Sequence, residues 1–162
     1  MTDVVSGSVP VSYIINPGST FPLGTTIVTA SATDGAGNTT TGTFTVTLVD
    51  TSAPVIESLT ASPNVLAPPN LEMVLVSLTA QVADLVDTAP ATRIISVASN
   101  EPENGSGDGD TALDWEIMGA LTLNLRAERA GDGSGRVYTI TVESRDRAGN
   151  ASTRTVEVGV PH

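Results

Sequence analysis

The residues best suited to chemistry lie in one stretch, Asn100–Trp115, which carries Glu101, Glu103, Asp108, Asp110 and Asp114 among glycines. Calcium takes several oxygen ligands from a flexible loop, and closely spaced carboxylates between glycines suit it. Glu101, Asp108, Asp110 and Asp114 are therefore the candidate ligands and calcium the candidate cofactor. The spacing is not that of an EF-hand, because Ala112 and Leu113 stand where a ligand and a glycine are needed. It is not a repeated calcium nonapeptide either, since it occurs once. The competing reading is a solvated acidic loop whose aspartates cap turns. A second candidate is Asp50, which Asp34 or Asp84 could approach to bridge two domains through calcium; an ordinary polar linker is the simpler reading.

Arg126, Glu128, Arg129 and Arg136 read as an ion-paired surface patch of little energetic weight, or as contacts that hold the acidic loop in shape. Trp115 could stack on a sugar, which would make the chain a carbohydrate-binding module, or anchor the loop to a core. Catalysis has little to work with. The single histidine is His162, which makes a Ser–His–Asp triad implausible, and there are no cysteines. One Trp, two Tyr and two Phe cannot line an aromatic cleft around a glycosidase carboxylate pair. The chain reads as non-enzymatic. Its net charge of −11 repels nucleic acid and anionic membrane surfaces. No apolar run is long enough to span a bilayer, and no leader is visible at Met1-Thr2-Asp3.

The elements that would position these groups are strands. Alternation marks 25–33, 43–49 (Phe44, Val46 and Leu48 on one face), 72–82, 93–98, 121–125, 137–143 and 154–160. No helical period is sustained. The motif Asp34-Gly-Ala-Gly-Asn38 recurs as Asp146-Arg-Ala-Gly-Asn150, each between two strands. A short connection of this kind needs a backbone with positive φ, which Gly37 and Gly149 supply, while the Asp side chains can accept amides across the turn. Two copies of a terminal hairpin predict two domains, residues 1–52 and 53–162. The second has room for seven strands. The first has about three, which leaves a hydrophobic face uncovered.

Residues 3–54 resemble the C-terminal part of a hyalin repeat (HYR) domain, through Gly7-Ser-Val-Pro-Val-Ser-Tyr13, Gly18-Ser-Thr-Phe-Pro-Leu-Gly-Thr-Thr26, Ala32-Thr-Asp-Gly-Ala-Gly-Asn38, Phe44-Thr-Val-Thr47 and Asp50-Thr51. Residues 54–162 resemble a module of bacterial multidomain extracellular proteins. Its marks are Ser62–Asn70, Ser99-Asn-Glu-Pro102, Gly105–Thr111, Asp114-Trp115, Leu125–Arg129, Arg136–Thr141 and Val160-Pro-His162. Ala67, Leu71 and Glu72 replace a tryptophan, a histidine and a lysine common in that module. The resemblances imply tandem immunoglobulin-like antiparallel β-sandwiches, all-β, with the first one incomplete. They imply a secreted or cell-surface structural and adhesion role beside neighbouring β-sandwich domains of a longer chain. The incomplete first domain also suggests self-association by strand exchange, building a fibre or oligomer.

Overall fold

The computed structural model describes residues 2–5, 7–103 and 113–162. They form two compact units, 1–50 and 51–162, all-β throughout.

The second unit holds seven strands: β6 (Val55–Ser62), β7 (Met73–Ala83), β8 (Ala91–Ser99), β9 (Trp115–Ile117), β10 (Thr122–Arg126), β11 (Arg136–Arg145) and β12 (Ala151–Val160). They form two antiparallel sheets, ordered β6-β7-β10-β9 and β12-β11-β8. This four-plus-three order is that of an immunoglobulin constant-type sandwich. The sheets enclose one core, in which Val76, Leu123, Leu125, Tyr138, Ile140, Val142 and Val158 are sealed from solvent. Each such side chain contributes roughly 1.5–3 kcal/mol by leaving water.

Strand β11 shows how the alternation works. Every second residue from Arg136 to Ser144 points inward. The middle three are apolar, and Ser144 closes one end by bonding the Thr92 hydroxyl at 3.0 Å. Arg136 closes the other end. Tyr138 sits near the start of β11 and gives its hydroxyl hydrogen to the Arg126 carbonyl at 2.9 Å, a tyrosine corner. Ile140, two residues on, occupies the place where antibody domains put a cysteine, so no disulfide joins the sheets here.

Strand β6 is less regular. Its register with β7 shifts between Ile56 and Ser58, and this bulge turns both Ile56 and Leu59 toward the core.

The first unit contains β1 (Thr2–Asp3) paired with β2 (Gly7–Ser8), and one sheet of β3 (Ser12–Tyr13), β4 (Gly24–Thr33) and β5 (Thr39–Leu48). The β4–β5 register places Val28 opposite Phe44 and Thr26 opposite Val46, so the apolar side chains share a face. Val9, Val28 and Ala32 are buried there, yet Phe44 stays 49% exposed and Leu48 46%. Besides that three-stranded sheet, the described residues of this unit form only the short pair β1–β2. The sandwich is incomplete, as the sequence predicted.

Candidate functional site

Strand β11 opens on Arg136, whose side chain is entirely buried. Its guanidinium donates to Asp114 Oδ2, and at 2.9 Å to the Pro102 carbonyl. It lies 3.5 Å from Glu101 Oε2 and 3.9 Å from Glu128 Oε1. Pro102 and Asp114 flank the acidic stretch on its two sides. Arg136 therefore ties both ends of that loop to the first turn of a core strand. Glu101 adds a second tie by accepting the Ala130 amide at 2.6 Å.

A second arginine finishes the base. Arg126, at the end of β10, donates to the Leu71 carbonyl at 2.8 Å and to the Leu113 carbonyl at 3.0 and 3.3 Å. Leu71 and Leu113 hold φ of 67° and 68°, a left-handed backbone that costs a branched residue about 1–2 kcal/mol. The guanidinium that grips both carbonyls offsets this strain. Arg126 also lies 4.0 Å from Asp114 and 3.8 Å from Glu128. The cluster thus sets two arginines against Glu101, Asp114 and Glu128.

Burial alone would depress the Arg136 pKa, but the Tyr138 hydroxyl and the Asp114 carboxylate reverse this and hold it above the ordinary arginine range. For Tyr138 burial dominates and raises the phenol, with Arg136 working against the shift and the Asp114 and Glu128 charges adding to it. A phenol raised on folding contributes stability that is complete below its unfolded pKa near 10 and is lost as pH climbs through the folded value. In a Tyr13→Phe variant, phenolate absorbance reports Tyr138 alone. Its ionisation is expected to lag behind a free tyrosine and to coincide with alkaline unfolding; titration together with free tyrosine would contradict its burial.

The patch read from sequence as a surface feature is mostly interior. Arg136 and Glu128 are fully buried and Arg126 nearly so, while Arg129 is half-buried and donates to the Ala130 carbonyl. The reason is topological: Arg126 at the end of β10 and Arg136 at the start of β11 meet Glu101, Pro102 and Asp114, which the fold brings to the same place. Of the four candidate calcium ligands, Glu101 and Asp114 are brought together on Arg136. Asp108 and Asp110 lie outside the described residues. Among the described residues, no group of three or more His, Cys, Asp or Glu is gathered to hold a metal ion. Asp84 caps its own turn, accepting the amides of Val86 and Asp87 at 2.8 and 2.7 Å. Trp115 sets its ring edge-on to Tyr138, centroids 6.3 Å apart, which anchors the loop's exit to the core.

The repeated turn follows its sequence reading closely. Asp34 Oδ1 accepts the amides of Ala36 and Asn38, and Oδ2 accepts the Asn38 side-chain amide at 2.8 Å. Gly37 takes φ of 90°. Asp146 and Asn150 repeat these bonds at 2.8 and 2.7 Å, with Gly149 at 98°. Asp87 adds a bond to the Arg147 amide that the first copy lacks an equivalent for in sequence. In both copies the Asn side chain donates to the Asp carboxylate.

Residues 1–48 match the family model of the HYR domain. The HYR segment is 49% identical over 49 residues to hyalin of Strongylocentrotus purpuratus, and 54% identical over 48 residues to hyalin of Lytechinus variegatus. Each match covers 28% of this chain, and only 4% and 9% of the respective hyalins. The chain thus spans a small fraction of the relatives it matches. Both relatives are sea-urchin proteins. The HYR match includes the Asp34–Asn38 turn and its two strands, and the second copy of that turn lies beyond it.

The Asp34 carboxyl is held below the usual aspartate range chiefly by the Asn38 side chain and backbone amides. Burial works against Asp146, but Asn150 and the turn amides outweigh it and lower that group too. A carboxyl lowered on folding contributes stability that is present above its unfolded pKa, near 3.9, and is lost as pH falls through the folded value. Asp146→Asn is therefore expected to flatten the loss of stability below about pH 4. Urea midpoints measured across that range check it, and parallel acid profiles for variant and parent would refute it.

Proposed function

We propose that this chain is a non-catalytic structural and adhesion module of a longer extracellular protein, spacing or presenting its neighbours. The HYR match supports the extracellular setting. The observation that carries the spacing role is the path of the first and last segments of residues 51–162. Pro54 accepts a bond from the Ser152 hydroxyl, Ile56 and Glu57 accept from Arg154 at 2.7 and 2.8 Å, and Leu66 and Asn64 exchange bonds with Gly159 at 2.8 and 3.0 Å. Residues 54–66 and 152–159 thus run parallel, meeting in a parallel bridge at Val65 and Gly159. The chain enters this unit at one pole and leaves at the other, about 30 Å away for a strand of this length. Tension on the two ends loads the bridging bonds together, in shear, rather than opening them singly.

Force spectroscopy on residues 51–162 tests this. One cooperative rupture is expected, lengthening the chain by roughly 350 Å. Gly159→Pro deletes the donor to Asn64 and is expected to lower the rupture force. Gradual yielding at low force, or a force unchanged by the substitution, would argue against a load-bearing spacer.

Calcium stiffening belongs to the same reading. If Asp108 and Asp110 join Glu101 or Asp114 around calcium, the ion must share those two carboxylates with Arg136. The cation would then fasten the loop from above while Arg136 fastens it from below. Melting in millimolar calcium is expected to exceed melting in EDTA, because an ion that binds only the folded state stabilises it. The gain is expected to vanish in Asp108→Asn/Asp110→Asn. Superimposed curves would assign these aspartates to solubility alone.

A further inference from the structure

The last strand of the HYR segment, β5, is an edge strand without the usual protection. It is ten residues long, bonds only β4 among the described residues, keeps an unbroken register and contains neither charge nor proline. Natural edge strands are blunted by charge, proline, bulges or brevity, because an open edge templates another strand. The other unit follows that rule. Strand β6 carries Glu57 and a bulge, β8 carries Arg93 and a bulged register, β9 has three residues, and β12 carries Arg154 and Glu157 and is braced by residues 54–66.

Which groups face outward follows from register. The Ile14 amide bonds the Thr29 carbonyl, so odd positions of β4 serve β3 and even positions serve β5. In β5 the even residues therefore bond back to β4. Thr39, Thr41, Thr43, Thr45 and Thr47 turn their N–H and C=O groups away from the sheet.

The geometry points to a second copy of this chain as the occupant, pairing β5 with β5 antiparallel about a two-fold axis normal to the sheet. Such an axis pairs residues of like parity, so the apolar faces of the two sheets merge on one side. Centred on Phe44, it sets Phe44 against Phe44 as a non-hydrogen-bonded pair, where side chains approach most closely. Thr43 then meets Thr45 and Thr41 meets Thr47, and these pairs exchange about eight main-chain hydrogen bonds. The threonine side chains on the opposite face already pair across β4 and β5, Thr25 with Thr47 at 3.2 Å and Thr33 with Thr39 at 2.8 Å. Two half-exposed Phe44 rings would leave water together, and a cross-strand aromatic pair adds its own attraction. Charge allows the approach. Residues 1–50 hold only Asp3, Asp34 and Asp50, while all seven arginines and the other fifteen acids lie in 51–162.

Sedimentation of the full chain across low-micromolar to millimolar concentration tests this. A monomer–dimer equilibrium is expected. It should strengthen as salt screens the −11 charge of each copy, the reverse of an ion-paired interface. Thr45→Pro removes an outward N–H without touching the β4 ladder, and Thr45→Lys guards the edge with charge. Both are expected to be monomeric, with circular dichroism like the parent's. The absence of cysteine gives a register test: Phe44→Cys is expected to form an interchain disulfide on mild oxidation, since about 4.5 Å between Cα atoms suits the bond. Thr40→Cys, opposite Leu48 in this register, is not. A chain that stays monomeric throughout would overturn the proposal and leave the edge to some other protein's strand. So would a dimer that survives both Thr45 substitutions, or one cross-linked through Thr40 rather than Phe44.

Discussion

Arg136→Met is expected to destabilise residues 51–162 by about 3–5 kcal/mol, a fall in Tm on the order of 15 °C. Methionine keeps most of the volume and the flexible stem, so little of the loss comes from packing. The loss comes from charge. Asp114 and Glu128 are wholly buried and Glu101 is 10% exposed; without Arg136, Asp114 and Glu128 keep Arg126, at 4.0 and 3.8 Å, while Glu101 loses its ion pair. The Pro102 carbonyl and the Tyr138 hydroxyl lose their donor as well. Removing one partner of a buried ion cluster costs far more than the cluster contributes, because stranded charges cannot reach water. It follows that Arg136→Met combined with Asp114→Asn and Glu128→Gln is expected to recover a good part of the loss. Urea unfolding followed by Trp115 fluorescence measures both variants. A single variant within about 1 kcal/mol of the parent would mean that water reaches the cluster and that it is not the fastening described.

The second large effect is a contrast between the two units. Leu125→Ala is expected to cost about 2–5 kcal/mol, since Leu125 is fully enclosed between two sheets and its removal leaves a cavity. Phe44→Ala removes a larger side chain but is expected to cost only about 1 kcal/mol. Phe44 is half in water already, and solvent fills the space it leaves. The chain has one tryptophan, Trp115, in the second unit, so its fluorescence midpoint reports that unit. Leu125→Ala should move the midpoint and Phe44→Ala should not. Equal shifts would mean that the first unit has a closed core and unfolds together with the second.

Much of this architecture was legible in the chain. The clean alternations at 121–125 and 137–143 became β10 and β11, because residues of one parity face a core on one side and solvent or a neighbouring loop on the other. The Asp-x-Ala-Gly-Asn turn was readable in chemical detail, since its bonds close within five residues. Strand β6 was not marked by alternation. Its bulge puts Ile56 and Leu59 on one face at a spacing of three, which breaks the period. Strand β9 is too short to show a period.

The amino-acid sequence by itself determined the regularly alternating strands, the repeated turn and the deficit of strands in the first part, because each depends on periodicity, turn chemistry or count. The tertiary structure alone decided where charge is buried. An arginine at the start of a strand reads as surface in any linear pattern. Arg136 lies inside because Glu101, Pro102 and Asp114, distant from it in sequence, converge on the start of β11. The open edge of β5 was likewise decided by the order of strands in a sheet: the same ten residues in a central position would have every backbone group paired.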